Sequence, residues 1–297
     1  MNIVQLINDF RQLKILLPDM IILENTDAAE QVLSKGVKVL TNGFTKSTEI
    51  LAYRFNGQLV CFWHSSFAGS DLMGESGRLI NFLTAIQNKI VQAFFLNPTE
   101  PLPIGAKRFW LPFTLSPKSD TSKTIPKYDF AMPLGSPHSL VCKNLLETII
   151  FLLTSNYSFV MPRWYEQLFD LNTLKTAFGS TSDFAFFETQ ANPIEDAYYQ
   201  QAKFYLTLSH SDTMPYSCIE ALNAKTPVII NKNVGWARFF DDKKDTFVLK
   251  NNKQIQSFFE ENKDPTKRSQ ILERQIQVLS EVSKNNATQL KKQLGVH

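Results

Sequence analysis

Two carboxylates, a lysine and a histidine are the side chains of this 297-residue chain whose types and settings point most directly to chemistry. Asp212 and Glu220 stand in SHSDTMPYSCIEALNAKTPVII (209–230), on either side of Pro215 and Ser217. One apolar run precedes the passage and another closes it, so it reads as strand, loop, helix and strand, with the helix starting at Pro215–Ser217. A helix N-terminus offers free backbone N–H groups and the positive end of a dipole, a setting that suits phosphate. Glu220, one turn in, can accept hydrogen bonds from two vicinal hydroxyls, as ribose presents them. The same residues also allow a purely structural reading. Ser217-x-x-Glu220 has the spacing of a capping box, in which the serine caps the N3 amide and the glutamate reaches back to the cap. Asp212 equally suits an Asx-type turn at a strand end. Lys143 in VCKN is either a solvated first-turn lysine or an anion ligand. His64, after LVCFW, is either a packed strand-end histidine or one that faces a cleft.

The elements that must position these groups follow one pattern: short apolar runs alternate with segments of helical period. DMIIL (19–23) precedes TDAAEQVLSKG, for which Thr26 is the expected N-cap and Gly36 the stop. VKVL, LVCFWH, VQAFFL and KRFWLPF supply further strands, and ESGRLINFLTAIQNKI repeats apolar residues at helical spacing. Met1–Lys14 reads as a helix. After the polar stretch Leu115–Lys127, taken as an inter-domain linker, the alternation resumes through YDFAMPLG, YSFVMP, DFAFFE, KFYLTLS, PVIIN and TFVL. The remainder is helical, with Leu272, Ile276 and Leu279 on one face. Continuously apolar strands alternating with helices predict parallel sheets buried on both faces. The fold class is therefore α/β, with two Rossmann-like domains, 1–120 and 121–297, facing a central cleft where a ligand lies beyond the strand C-termini. The last helix is expected to pack back on the first domain.

Composition narrows the classes. The chain is 43% hydrophobic and 20% charged, an ordinary globular balance, and its 24 Phe suit thick sheet–helix cores. A net charge of +3 with no polybasic block gives no footprint for nucleic acid, and the aromatics of YYQQAKFY fit packing better than base stacking. Cys61, Cys142 and Cys218 lie apart within apolar runs, without zinc spacing, as reduced thiols would. The start has no signal-peptide architecture, and Leu145–Met161 is too polar to span a bilayer. These features predict a soluble cytoplasmic protein, with peripheral contact at the inner membrane surface left open.

SDTMPYSCIEALNAKTPVI resembles the C-terminal signature of retaining GT-B glycosyltransferases of the family-4 type (glycosyl transferases group 1), in which an acidic residue, seven positions and a glutamate precede a Pro-Val-Ile strand. Asp212 stands where that family usually has glutamate. MPLGSPHSLVCKN is similar to the stretch that opens the family's second domain, with Gly135 and then Lys143-Asn144. Ser136 replaces the usual arginine there, and His138 or Arg163 is the candidate substitute. FWHSSF resembles the family's strand-end histidine, whereas NVGWARFFDD departs from the Gly-Gly-x-x-Glu loop at Trp236 and Arg238. The front strand–loop unit reads as absent or shortened. The resemblance implies a glycosyltransferase that moves a hexosyl unit from a nucleoside diphosphate sugar to a glycan or lipid-linked acceptor held on the first domain. It implies retention of configuration, no metal (no Asp-x-Asp occurs) and no cofactor. Donor binding would fall to Gly135, Ser136, Lys143, Arg163, Thr213, Met214, Pro215, Tyr216, Ser217 and Glu220. His64 and Asp212 would serve catalysis, and the base would lie near Phe186–Pro193. A sugar-nucleotide epimerase, a phosphorylase-like enzyme or a non-catalytic binding subunit on the same fold remain the alternatives.

Overall fold

The computed structural model of the chain describes residues 4–6, 21–23, 25–63, 70–71, 74–95, 101–108, 125–133, 140–188, 196–210, 212, 215–240, 245 and 247–294. The chain divides into two compact units, one made of Met1–Thr114 with Glu281–His297 and the other of Leu115–Ser280. Each is α/β and Rossmann-like, built on a wholly parallel sheet.

In the first unit the strands are β1 (Val4–Leu6), β2 (Ile21–Leu23), β3 (Val39–Asn42), β4 (Leu59–Trp63), β5 (Val91–Phe95) and β6 (Lys107–Arg108). Their order across the sheet is β2-β1-β3-β4-β5-β6. All five residues of β4 are buried, which is why LVCFW is continuously apolar rather than alternating. Phe82 stacks on Trp63 at a centroid distance of 5.5 Å and meets Phe44, tilted, at 5.3 Å. Two sequence expectations need correction here. Val4–Leu6 is a strand, not part of a helix, and it sits inside the sheet, paired with Ile21–Leu23 on one side and with Val39 and Leu40 on the other. The apolar spacing of Met1–Lys14 fits a helix, but the two parallel partners are distant in sequence and their pairing overrides that local preference. The N-cap of helix Thr26–Leu33 is Asn25 rather than Thr26: the Asn25 side chain accepts from the Ala28 amide at 2.9 Å. Gly36 does end this segment, turning the chain at φ 76°, where a Cβ would be strained.

The second unit carries β7 (Tyr128–Ala131), β8 (Phe159–Pro162), β9 (Phe184–Phe187), β10 (Ala202–Thr207), β11 (Val228–Asn231) and β12 (Val248–Leu249). Their order is β12-β11-β10-β7-β8-β9. Counted from β7 this is the 3-2-1-4-5-6 order of the dinucleotide-binding folds, whose direction reverses between the first and fourth strands. The reversal here lies between β7 and β10, paired through Phe130–Phe204 and Ala131–Tyr205. In folds of this order a ligand crevice opens at the carboxyl ends of the two strands where the direction reverses. On one face Phe259, from helix Asn252–Asn262, packs on Phe130, Tyr157 and Phe204 at 4.9–6.0 Å. At the amino end Asp129 accepts from Ser158 and pairs with Lys203 Nζ at 2.7 Å, tying β7 to β10 away from the crevice. Helix Pro265–Leu294 meets the sheet through Gln275, whose buried side-chain amide donates to the Val228 carbonyl at 2.6 Å and accepts from its N–H at 2.9 Å. The glutamine thereby stands in for a strand where β12 does not reach.

Candidate functional site

Of the residues singled out in sequence, Lys143 and Asp212 meet beside the reversal between β7 and β10, and Glu220 stands on the helix that follows β10. The chain leaves β10 through Leu208 and Ser209, both buried, and reaches Asp212. Asp212 bridges to Val234 in a single parallel pair, and its carbonyl accepts from the Gly235 amide at 2.7 Å. Asn231, at the end of β11, donates to the Ser209 carbonyl at 2.9 Å and accepts from the Asn233 amide at 3.2 Å. The loop that carries the first carboxylate is thus pinned to the loop after the neighbouring strand. Trp236, which breaks the resembled loop pattern, is buried in the turn that follows.

From β7 the chain returns through a short helix, Leu140–Lys143, to Asn144 in the left-handed region and on to helix Leu145–Thr154. The Cys142 carbonyl accepts from the His210 amide at 2.8 Å, which joins this segment to the loop after β10. Lys143 Nζ then meets the Asp212 carboxylate in a hydrogen-bonded ion pair, with side chains only 12% and 13% exposed. Burial alone pulls the ammonium pKa down, but the Asp212 charge and hydrogen bond outweigh it and the net shift is upward. A solvated first-turn lysine is therefore the wrong picture for Lys143. The structure joins a cation and an anion, 69 positions apart in sequence, at the switch point of the sheet.

The second carboxylate lies on helix Tyr216–Asn223, and there the capping box is not formed. The helix begins after Pro215, no side chain caps it, and Ser217 sits inside its first turn. The Ser217 hydroxyl instead accepts from Tyr205 Oη at 2.7 Å, and Glu220 Oε2 accepts from Tyr199 Oη at 2.5 Å. Both tyrosines are wholly buried, whereas Glu220 is exposed. The helix's N-cap residue Pro215 makes no side-chain cap hydrogen bond, a helix amino end carries a dipole that favours an anion, and Pro215 and Ser217 are buried and Tyr216 half-buried. Tyr199, Tyr205 and Asn231 were not among the residues expected from sequence to serve the site. YYQQAKFY reads correctly as packing, but nothing in it tells which phenols reach the signature helix.

The other sequence candidates fare differently. Arg163, after β8, pairs with Glu188 and Glu166 and is about half exposed, so its guanidinium is engaged at the neighbouring strand ends rather than with the Lys143–Asp212 pair. His64, Gly135, Ser136, His138, Thr213 and Met214, and most of the Phe186–Pro193 stretch, lie outside the described residues. A cavity of about 470 Å³ extends the same carboxyl edge toward β12, lined among others by Asn144, Glu147, Leu208, Asn231 and Leu249. The three cysteines are buried and none is in a disulfide. Among the described residues no three His, Cys, Asp or Glu side chains gather as a metal site, and no helix is long and apolar enough to cross a membrane.

Residues 171–277 match the family model for glycosyl transferases group 1, a span that holds Asp212, Glu220, Tyr199 and Tyr205 but not Lys143. No curated protein matches the chain in sequence. Among solved structures, a sucrose-phosphate synthase from Thermosynechococcus elongatus superposes with a TM-score of 0.65 at 13% identity, over 91% of this chain and 77% of that one. A glycosyltransferase from Rickettsia africae ESF-5 gives a TM-score of 0.65 at 11% identity, over 99% and 98% of the two chains. Anabaena HepE, solved in complex with UDP and glucose, gives 0.52 at 11% identity over 99% and 98%. At such identities the likeness establishes the fold, which is GT-B.

Proposed function

We propose, for a chain of GT-B fold whose residues 171–277 form a glycosyl transferases group 1 region, that it transfers a hexosyl unit from a nucleoside diphosphate sugar to a hydroxyl of a glycan or lipid-linked acceptor, with retention and without a metal. The observation that carries this reading is the Lys143–Asp212 pair at the β7–β10 switch point, a few residues ahead of the helix Tyr216–Asn223, whose N-cap Pro215 makes no side-chain cap bond. Leaving-group departure builds negative charge on the diphosphate. A fixed ammonium and oriented backbone amides stabilise that charge without reorganising, which is where electrostatic catalysis is strongest. Lys143 takes the diphosphate together with the amides near Met214–Ser217, Pro215 itself having no N–H to give, and Glu220 takes the ribose. Asp212, relieved of its lysine when the phosphate arrives, turns to the neutral hydroxyls of the transferred sugar. The exchange keeps each buried charge partnered at every stage, which avoids the cost of an unpaired one. His64 and Gly135 complete the set by family resemblance, with Ser136 standing where the family's arginine would. The chain works in the cytoplasm, at or near the inner membrane surface where the acceptor is lipid-linked.

Calorimetric titration with uridine, guanosine and adenosine diphosphate sugars tests the reading, and the UDP of the HepE complex makes uridine the first choice. One of them is expected to bind, and Glu220→Gln to weaken it by roughly ten- to a hundredfold, the worth of one or two charge-assisted hydrogen bonds. If none binds to the wild type, the transferase reading fails. If Glu220→Gln binds normally and only melts earlier, Glu220 is structural.

A further inference from the structure

Glu220 is an exposed residue held from the inside. Its Oε2 accepts from Tyr199 Oη at 2.5 Å, and Tyr199 is itself fixed on every side. The ring is wholly buried and packs edge-on against Tyr198 and Tyr205 at 5.3 and 5.5 Å. Its backbone carbonyl accepts from the buried Thr226 hydroxyl at 3.0 Å, which joins it to the far end of the signature helix. Burial first, then the nearby Tyr205 and the Glu220 charge, push the phenol pKa far above its ordinary range, so the hydroxyl stays protonated and remains a donor.

A glutamate on a helix surface ordinarily samples several rotamers, and freezing it on ligand arrival costs affinity. Here one donor on Oε2 selects the carboxylate orientation beforehand. Oε1 and the remaining lone pair on Oε2 are left for two outside donors. Paired donors a short step apart are what the 2′ and 3′ hydroxyls of a ribose supply. Tyr205 holds Ser217, three residues earlier on the same helix face, in the same manner, so two buried phenols fix the face on which Glu220 stands. Tyr198 provides the contrast: its hydroxyl donates to the Met132 and Val160 carbonyls and reaches no side chain of the helix.

We propose that Tyr199 is a positioning residue that orients Glu220 for the ribose diol of the donor nucleotide; this rests on the donor reading above. Tyr199→Phe removes one oxygen and leaves the packed ring, so the fold is retained. The test compares uridine, guanosine and adenosine diphosphates with their 2′,3′-dideoxy counterparts by titration calorimetry, on wild type and on Tyr199→Phe, Tyr198→Phe, Glu220→Gln and the Tyr199→Phe/Glu220→Gln double variant. The expected result is that wild type prefers the ribose nucleotide and that Tyr199→Phe cuts this preference by about tenfold, the worth of one hydrogen bond to a charged group. Tyr198→Phe should keep the preference while melting earlier, and the double variant should be no worse than Glu220→Gln alone. An undiminished preference in Tyr199→Phe, or a double variant worse than Glu220→Gln by a further tenfold, overturns the positioning role and leaves the donor reading standing. A wild type that binds none of the diphosphates overturns the donor reading itself.

Discussion

At the scale of single residues, the site rests on one largely buried ion pair, Lys143 with Asp212. Asp212, Glu220 and Lys143 stand out in sequence because carboxylates and a lysine border apolar runs, but no local pattern tells that Lys143 meets Asp212. That contact needs β7 and β10 to be neighbours, and their adjacency is a property of the whole sheet. The capping box shows the reverse error: its spacing is right, yet Tyr205 and Tyr199, 12 and 21 positions away from Ser217 and Glu220, claim both side chains. The buried pair makes its own prediction. Asp212→Asn leaves an ammonium only 12% exposed without a counter-charge, and breaking such a pair typically costs about 3 kcal/mol or somewhat more. Replacing both partners, as Lys143→Met with Asp212→Leu, should recover most of that loss, since a well-packed apolar pair tolerates burial. Because the folded lysine pKa is raised, the pair's contribution is fully present below the ordinary lysine value of 10.5 and drains away as pH rises through the folded value. Urea unfolding from pH 7 to 11 checks this: the gap between wild type and Asp212→Asn should hold near neutrality and close only at the alkaline end. A gap that is absent at pH 7 would make the pair energetically neutral.

At the scale of elements, the strands that are buried on both faces announced themselves. LVCFW and FVMP, the latter buried at every residue, have no amphipathic alternation to confuse them with surface strands. The element that misled was β1, where three residues of Val4–Leu6 sit in a segment of helical spacing and only the parallel partners on both sides decide the matter. Short apolar runs carry this ambiguity inherently. Another feature hidden from sequence is the Gln275 clamp on Val228. Gln275 lies in a helix of otherwise mixed polarity, and its role exists only because β12 pairs β11 from Ile230 onward, leaving Val228 without a strand on that side. Gln275→Ala would strand a buried N–H and a buried carbonyl together, a loss of about 2–4 kcal/mol at typical costs for unsatisfied groups. Gln275→Glu should be no milder, because it keeps an acceptor for the N–H but either sets a buried carboxylate oxygen against the carbonyl or must take up a proton to avoid it. Equilibrium denaturation ranks the three proteins, and equal midpoints would mean that water replaces the clamp freely. The effect belongs to the β11 edge, so nucleotide binding by correctly folded Gln275→Ala should remain within a few tenths of a kcal/mol of wild type, as distant sites usually do.

At the scale of the whole molecule, two units with separate sheets make unfolding a composite event. The cluster of buried residues from Leu23 to Phe95 lies wholly within the first unit, while Phe130, Phe204 and Phe259 centre a core within the second. The helix Pro265–Leu294 contributes to both, since the units divide its sequence after Ser280. Separate cores imply that a single unfolding free energy is not defined for the chain. A ligand that binds one folded unit stabilises that unit by mass action, about 2.7 kcal/mol at a hundred times its dissociation constant. Lys143, Asp212, Ser217 and Glu220 all fall within Leu115–Ser280. A nucleoside diphosphate alone, without its sugar, should therefore raise the melting of that unit by roughly 5–10 °C and leave the other transition in place. Scanning calorimetry with and without the nucleotide separates the cases. An equal rise in both transitions would mean that the nucleotide is held jointly by both units, and the donor pocket would then require residues of the first. The same scan on Lys143→Met gives the sign of the electrostatic contribution: the upward step should shrink for the diphosphate and stay small for the nucleoside without phosphate, because only the former meets the missing ammonium.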